Sequence, residues 1–217
     1  MSNLSKRLDV IKGLVDEKIV CDVGCDHGKL AYSLLTEKIV DFVFVSDISK
    51  PSLNKAEKLL HDIHGYKSIH CDGLQGYTGC NIDECIIAGM GGDEIINIIK
   101  NSPIQINKFI LSPQHNNIAV KKFMIVNGYE ITFDIIVKDK GKFYNIIKFE
   151  KGEQGNLSEF DLYFGKNNFN STLSDIDEFV EYEYNKISSI VANNNIKNDD
   201  LINYYNILKE YKKRKFK

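Results

Sequence analysis

The stretch from residue 19 to residue 36 constrains the fold most, because it reads as a strand, a loop and a helix in direct succession. An apolar run over 19–23 is followed by a loop with two glycines and then by a helical pattern over 29–36. The alternation continues, with apolar runs at 41–46, 67–71, 84–88 and 108–112 and helical patterns at 51–63 and 93–101. Strands that alternate with helices are joined by right-handed crossovers and form a parallel sheet.

The pattern changes after the fifth apolar run. Two β-rich runs, 129–138 and 143–149, are joined by a short turn with lysines and a glycine, and they predict an antiparallel hairpin. The sequence therefore predicts an α/β fold: a Rossmann-like, doubly wound sheet that ends in an antiparallel hairpin.

The last part of the chain follows a helical pattern. Apolar residues spaced three and four apart over 173–191 predict an amphipathic helix, and Asp199 begins a second one after an Asn-rich break. We expect the two helices to form a coiled-coil-like hairpin, with 150–172 as a link. This predicts a division into domains 1–152 and 153–217.

The first loop has an acid where a dinucleotide-binding fold has a glycine. Asp22 ends the first strand, and Gly24 and Gly28 follow in the loop. Glycines let the backbone approach a ligand, and a helix N-terminus offers free N–H groups. An acid at this place disfavours a pyrophosphate and suits a cationic amino-acid tail. The pattern favours S-adenosylmethionine (SAM) over NAD, although short glycine loops also close ordinary strand–helix turns.

Acidic residues also follow the second and third strands, at the end of the sheet where doubly wound folds bind ligands. Asp47 has a spacing from the first loop that suits hydrogen bonds to ribose hydroxyls; the alternative is a helix cap. Asp72 with Gly73 could accept a hydrogen bond from an adenine amino group, or could form a turn.

The loop after the fourth strand, residues 88–93, contains three glycines. It lacks the prolines and the aromatic residue that enzymes acting on exocyclic amines place there. This favours an acceptor with a free lone pair, such as a ring nitrogen, which needs orientation and desolvation more than a strong base. A glycine-rich strand–helix turn is the structural alternative. After the fifth strand, Gln114 and Asn116 offer amides to a base edge, or fill a polar turn.

Other titratable residues give weaker signals. His27, beside Asp26 in the first loop, either orients a substrate or is solvated. Three further histidines, His61, His64 and His70, lack a carboxylate pattern that completes a metal site, so no metal is expected. Five cysteines without paired spacing indicate reduced thiols.

The net charge of −2 does not by itself indicate a nucleic-acid binder, but positive charge is concentrated at the C-terminus. This basic cluster comprises Lys209, Lys212, Lys213, Arg214, Lys215 and Lys217. It is either a solvated tail or a set of phosphate contacts. No apolar run approaches the roughly 18 residues of a membrane span, and the first residues lack a signal-peptide pattern. We therefore expect a cytoplasmic protein.

Four motifs in one order resemble the TrmK-type tRNA methyltransferases of bacteria: Leu4–Leu8, Asp22–His27, Ala88–Gly92 and Pro113–Gln114. Five parallel strands with a terminal hairpin likewise resemble the class I SAM-dependent methyltransferase sheet. The resemblance covers residues 2–150, and the C-terminal helices match in architecture only. It implies an enzyme that methylates N1 of adenosine at position 22 of tRNA.

The resemblance also implies roles for individual residues. At SAM would lie Asp22, Gly24, Cys25, Asp26, His27, Gly28, Asp47, Ile48, Asp72, Gly73, Ala88, Gly89, Met90 and Gly91. The catalytic residues would be Asp26, His27, Met90 and Gln114. RNA would be contacted by Arg7 and Gln114. From their charge, and not from the resemblance, we also expect RNA contacts by Lys209, Lys212, Lys213, Arg214 and Lys215. The chain departs from the family at Cys25, where a serine is usual, at Asp47, where Glu is commoner, and at His115, which separates Gln114 from Asn116.

We therefore expect a monomer that binds SAM and tRNA, and that binds neither DNA nor a metal nor a membrane. Two alternatives remain open. A methyltransferase for a small metabolite would use the helical hairpin as a lid. A non-catalytic RNA-binding protein on the same fold would bind SAM weakly or not at all.

Overall fold

The computed structural model describes residues 4–193 and 198–215, with the backbone alone for Phe169, Asn193, Arg214 and Lys215. The strands in this part are β1 (Ile19–Val23), β2 (Phe42–Asp47), β3 (Tyr66–His70), β4 (Glu84–Ala88), β5 (Lys108–Ser112), β6 (Tyr129–Asp139) and β7 (Lys142–Lys151). The α-helices are α1 (Lys6–Leu14), α2 (Lys29–Thr36), α3 (Lys50–Leu60), α4 (Gly92–Lys100), α5 (Asn117–Val126), α6 (Glu159–Phe164), α7 (Ile176–Asn193) and α8 (Asp199–Lys215).

The strands form one seven-stranded sheet in the order β3-β2-β1-β4-β5-β7-β6. β1 pairs in parallel with β2 and β4, whereas β7 pairs antiparallel with β5 and β6. Side chains of α1, α2 and α3 bury one face of the sheet, and those of α4 and α5 bury the other. The predicted α/β fold with its terminal hairpin is confirmed. Because the strand order reverses between β1 and β4, the ends of these strands are where a ligand is expected to bind.

Three helices were missing from the sequence prediction: α1, α5 and α6. The last of these lies in the segment that we expected to be a link. Its first turn is a capping box, in which Ser158 Oγ accepts from Asp161 N at 3.0 Å and Asp161 Oδ2 accepts from Ser158 N at 3.2 Å. A Ser-x-x-acid spacing is a helix start signal, so the sequence does carry the information that predicts α6.

The outer edge of β6 is covered by side chains instead of by another strand. Three alternate N–H groups of β6 donate to three side chains from the segment 167–175. The pairs are Asp134 with Asn167 (2.9 Å), Ile136 with Asn168 (2.8 Å) and Lys138 with Asp175 (2.6 Å). An edge strand with free N–H groups can pair with another chain, and these contacts prevent that.

The C-terminal helices form the predicted hairpin and pack against this covered edge. Their apolar cluster includes buried residues of α7 and α8 together with Ile136 of β6 and Phe164 of α6. Tyr211 Oη donates to Asp177 Oδ1 at 2.8 Å, so the end of α8 lies beside the start of α7. The domain division at residue 152 stays a prediction. Within the described residues, no helix is both long and apolar enough to cross a membrane.

Candidate active site

Two adjoining cavities open at the carboxyl ends of the central strands. The larger, of about 440 Å³, lies between α1, the loop after β1 and the β6–β7 turn. The smaller, of about 320 Å³, lies between the loops after β1, β2, β3 and β4. Arg7, Gly24, Asp26 and Ala88 line both cavities, so the two form one continuous site.

The loop after β1 is held against β2 by its backbone. Gly24 has a φ of +73°, and the N–H groups of Gly24 and Cys25 both donate to the carbonyl of Ser46, at 2.8 and 3.0 Å. The side chain of Met90 lies where a Cβ at Gly24 would stand. A substituent at Gly24 would therefore enter the site itself, as the sequence pattern implied.

Asp22 ends β1 beneath this loop and is only 5% exposed. Burial, together with the negative charges of Asp47 and Asp26, raises the pKa of its carboxyl to about 7. None of the ion pairs in the described part of the chain neutralises Asp22 or Asp47. Three carboxylates thus converge on a site that favours a cation.

Asp47 connects the first two loops. Its Oδ2 accepts from Asp26 N at 3.2 Å and its Oδ1 accepts from Ser49 N at 2.7 Å. The N-cap of α3 is Ser49, whose side chain accepts from Ser52 N, so the helix-cap interpretation of Asp47 is wrong. Next to it, the side chain of Ile48 is 65% exposed and lines the smaller cavity.

These residues fit SAM. Acidic side chains can hold its cationic tail and its ribose hydroxyls, and an exposed apolar side chain can pack on its adenine. Of the residues predicted at the cofactor, those that line one or both cavities are Asp22, Gly24, Cys25, Asp26, His27, Asp47, Ile48, Asp72, Gly73, Ala88, Gly89 and Met90.

The other two residues of the predicted cofactor set, Gly28 and Gly91, line neither cavity. A Cβ at Gly28 would stand 2.8 Å from the Cβ of Ala56 on α3, and one at Gly91 would stand 2.7 Å from the His115 ring. Both glycines therefore permit close packing between elements. The sequence around these two glycines does not show whether a glycine packs against a neighbouring element or faces a ligand.

The loop after β4 contacts the loop after β5 along its length. Gln114 Nε2 donates to Gly89 O at 2.5 Å, and Gln114 N donates to Met90 O at 2.9 Å. Gly92 N donates to His115 O at 3.0 Å. Of the three glycines in this loop, only Gly89 has room for a Cβ, which would stand 3.8 Å from the Arg7 guanidinium. The expectation that three glycines leave space is therefore correct for Gly89 alone.

The polar residues after β5 differ in what they contact. Gln114 lines the smaller cavity. Asn116 instead begins α5 with a positive φ, and its Nδ2 donates to Asp93 Oδ2 at 2.7 Å. Asn116 thus fills a polar turn, and a contact of its side chain with a base edge stays a prediction.

Arg7 and Tyr144 form a pair that the sequence did not reveal. The guanidinium carbon of Arg7 lies 4.5 Å from the centroid of the Tyr144 ring. Arg7 Nε is buried and has no hydrogen-bond partner in the described part of the chain. The pair stands at the junction of the two cavities, where an aromatic substrate could pack. No motif marks Tyr144, which is one residue of a β-rich run.

Asp26 and His27 lie in the exposed part of the first loop. His27 Nδ1 is 2.6 Å from Asp26 Oδ2, and both side chains are exposed. The carboxylate therefore orients the imidazole at the mouth of the larger cavity.

The basic residues of α8 are partly engaged within the helical hairpin. Lys209 Nζ lies 4.1 Å from the centroid of the Tyr205 ring, and Lys212 Nζ is 2.6 Å from Glu181 Oε2. Lys213 is exposed. Arg214 and Lys215 belong to α8, but their side chains and all of Lys217 lie outside the described residues.

The other histidines and cysteines are not assembled into a site. Among the described residues, no group of three or more His, Cys, Asp and Glu side chains is arranged to hold a metal ion. His61 Nδ1 pairs with Asp62 Oδ1 at 2.7 Å, and His70 Nε2 lies 3.0 Å from Ile48 O. The five cysteines are free thiols.

Comparison with known proteins identifies the family. The methyltransferase domain family matches residues 4–147. A Mycoplasma genitalium protein with the provisional name of a tRNA methyltransferase is 35% identical over 156 residues, which are 68% of this chain and 70% of that protein. The tRNA (adenine(22)-N(1))-methyltransferase of Bacillus subtilis is 25% identical over 158 residues, which are 70% of this chain and 66% of that enzyme.

Solved structures agree with the fold. The structure of M. capricolum TrmK in complex with S-adenosyl-homocysteine has a TM-score of 0.85 at 24% identity, covering 96% of this chain and 97% of that one. The family match includes β1 to β5 and every loop that lines the site. The chain therefore belongs to the methyltransferase domain family, and it shares the fold of TrmK.

Proposed function

We propose that this protein transfers the methyl group of SAM to N1 of adenosine 22 in tRNA. Its relatives named as tRNA methyltransferases support a tRNA substrate, and the Bacillus subtilis enzyme supports the position. The choice of N1 as acceptor atom rests on the loop after β4. There Gly89 presents only its backbone to the cavity, without the side chains that act on exocyclic amines.

Bound SAM supplies an electrophilic methyl group on a sulfonium centre. Asp22 in its ionised form binds the cationic tail, and Asp47, held by two backbone N–H groups, accepts from ribose hydroxyls. Gly24 has a positive φ that lets the loop turn above β1, and its missing Cβ leaves room for the Met90 side chain beside the cavity.

The chain's own residues orient and shield the base. N1 of adenine has an in-plane lone pair, so no proton has to be removed before it attacks. Gln114 is fixed to Gly89 and Met90, and the Arg7–Tyr144 pair offers a flat surface for the adenine ring. The methylated base is cationic, and the carboxylate of Asp26 stabilises that charge as it develops. His27 is hydrogen-bonded to this carboxylate, which orients the imidazole at the mouth of the larger cavity.

The target base has to leave the tRNA interior before N1 can reach the methyl group. We propose that Arg7, Gln114 and the basic end of α8 contact the RNA, mostly through its backbone. We further propose that the protein works as a cytoplasmic monomer with residues 1–152 as catalytic domain and 153–217 as helical domain.

The test is methylation of a defined tRNA. Purified protein is mixed with labelled SAM and either an unmodified tRNA with adenosine 22 or the same tRNA with guanosine 22. We expect N1-methyladenosine in the first tRNA and none in the second, by mass spectrometry of nucleosides. N6-methyladenosine as the primary product, formed without alkaline rearrangement, contradicts the acceptor atom, and equal methylation of both tRNAs contradicts the position.

A further inference from the structure

A third cavity adjoins the candidate active site on the side of the C-terminal helices. It measures about 590 Å³ and lies between the loop after β5, the β6–β7 turn and the helices α6, α7 and α8. Gln114 lines both this cavity and the smaller cavity of the active site. A molecule that fills the active site therefore has space to continue into it.

Five aromatic side chains line this cavity, and we call it the aromatic cleft. They are Phe143, Tyr163, Phe179, Tyr182 and Tyr204. Tyr182 is 56% exposed, and its ring centroid lies 5.7 Å from that of Phe143. Tyr163 and Tyr204 stack on each other at 5.2 Å. Exposed aromatic rings bind nucleobases of any identity through stacking.

The charges of the cleft favour a base over a phosphate. Glu183 lines it with a side chain that is only 15% exposed. Its carboxylate contributes, after burial, to raising the pKa of Tyr204. Glu183 Oε1 pairs with Lys186 Nζ at 3.4 Å, so its charge is partly compensated and the cleft suits a neutral base. Lys142 lines the cleft and is exposed, so it can contact the backbone that enters.

We propose that the aromatic cleft binds one unpaired base of the RNA substrate by stacking, next to the nucleotide whose adenine enters the active site. This inference rests on the proposed function. Extruding the target adenine breaks its stacking on its neighbours, which costs free energy. A second base held on Tyr182 recovers part of that cost and keeps the strand open during transfer.

The first test compares three variants. Tyr182→Ala removes the exposed ring, Tyr182→Phe keeps it, and Ile190→Ala removes an exposed apolar side chain of α7 that does not line the cleft. We expect Tyr182→Ala to raise KM for tRNA about tenfold or more, the loss of one base–aromatic stack. SAM affinity by calorimetry should be unchanged in all three, and both controls should keep the wild-type KM.

The second test identifies the base. tRNAs lacking the base on one or the other side of adenosine 22 are methylated by the wild type and by Tyr182→Ala. We expect one abasic tRNA to raise the wild-type KM by the same factor as the mutation, and to raise the KM of Tyr182→Ala no further. Such coupling places that base on Tyr182.

Three results overturn the inference. The inference is overturned if Tyr182→Ala has the wild-type KM for purified tRNA. That result would fit a protein partner in the cleft. The inference is also overturned if the mutation and each abasic tRNA raise KM by factors that multiply, because the two changes are then independent. If the wild type methylates no adenosine of tRNA, the proposed function fails and the inference fails with it. If the wild type methylates adenosine 22 and Tyr182→Ala does so with the same KM, only the proposed role of the aromatic cleft is refuted.

Discussion

Asp22 combines deep burial with two like charges nearby, and both disfavour its ionised form. Its carboxyl pKa of about 7 lies above the ordinary value of 3.8. Between these two pH values the folded protein keeps a proton that the unfolded chain has lost. Stability of the SAM-free protein therefore decreases as pH rises from about 4 to about 7, and the loss is complete above that range.

The Asp22→Asn variant tests this electrostatic role. At pH 8 it removes the unfavourable buried charge, so we expect the free energy of unfolding without SAM to rise by about 2–4 kcal/mol. At pH 4 the two proteins should be nearly equal. Urea denaturation at both values measures the difference. A variant that is less stable than the wild type at pH 8 contradicts a destabilising charge at this position.

The same variant should lose SAM affinity, because an amide cannot pair with a cation. Wild-type affinity should decrease below pH 7 by up to tenfold per unit, since Asp22 must lose its proton to bind the cationic tail. The ratio of wild-type to Asp22→Asn affinity isolates this effect from those of Asp26, His27 and Asp47. Calorimetric titration from pH 6 to pH 8 measures it, and a constant ratio refutes the role of Asp22.

At the scale of elements, Asn168 holds the covered edge of β6 together. Its side chain is buried; Oδ1 accepts from Ile136 N at 2.8 Å, and Nδ2 donates to the carbonyls of Asp134 and Phe164. All three of these backbone groups belong to β6 or α6. A single side chain therefore connects the sheet to the segment that leads into the helical hairpin.

We expect Asn168→Ala to lower the free energy of unfolding by about 2–4 kcal/mol, because several buried backbone groups lose their partner at once. Urea denaturation is the measurement. Asn170→Ala is the matched control, since Asn170 is exposed and two residues away, and its effect should stay within about 0.5 kcal/mol. Equal effects of the two substitutions contradict this account of the edge.

At the scale of the whole molecule, the lysines of α8 that are proposed to contact RNA lie on one side of the sheet. The helical hairpin packs on β6, whereas β3 forms the opposite edge. Lys213 is an exposed residue of α8, and Lys67 is an exposed residue of β3. The position of a lysine, and not the net charge of −2, should therefore decide its contribution to tRNA binding.

We expect Lys213→Ala to reduce the slope of log affinity for tRNA against log salt by about 0.7–0.9, the value for one phosphate contact. Lys212→Ala should have a smaller effect because Glu181 already pairs with this lysine. Lys67→Ala is the control and should leave the slope unchanged. Filter binding at several salt concentrations measures all three, and equal slopes for Lys213→Ala and Lys67→Ala refute the contact.

The sequence by itself determined the local elements and the order of the site's loops. Apolar runs predicted β1, β2, β4 and β5 closely, because a buried parallel strand has to be apolar whatever lies beside it. β3 was also predicted to within one residue, although none of its residues is buried. Asp22, Asp47 and Asp72 could be assigned to one site, because the carboxyl ends of parallel strands meet at one edge of the sheet.

Only the tertiary structure decided which side chains face a ligand and which face a neighbouring element. Gly24 and Gly28 look alike in the sequence, yet one borders the cofactor cavity and the other packs on Ala56. The Arg7–Tyr144 pair and the aromatic cleft each join residues from distant parts of the chain. Such contacts have no local signature, because they arise from the packing of elements and not from the periodicity within any one of them.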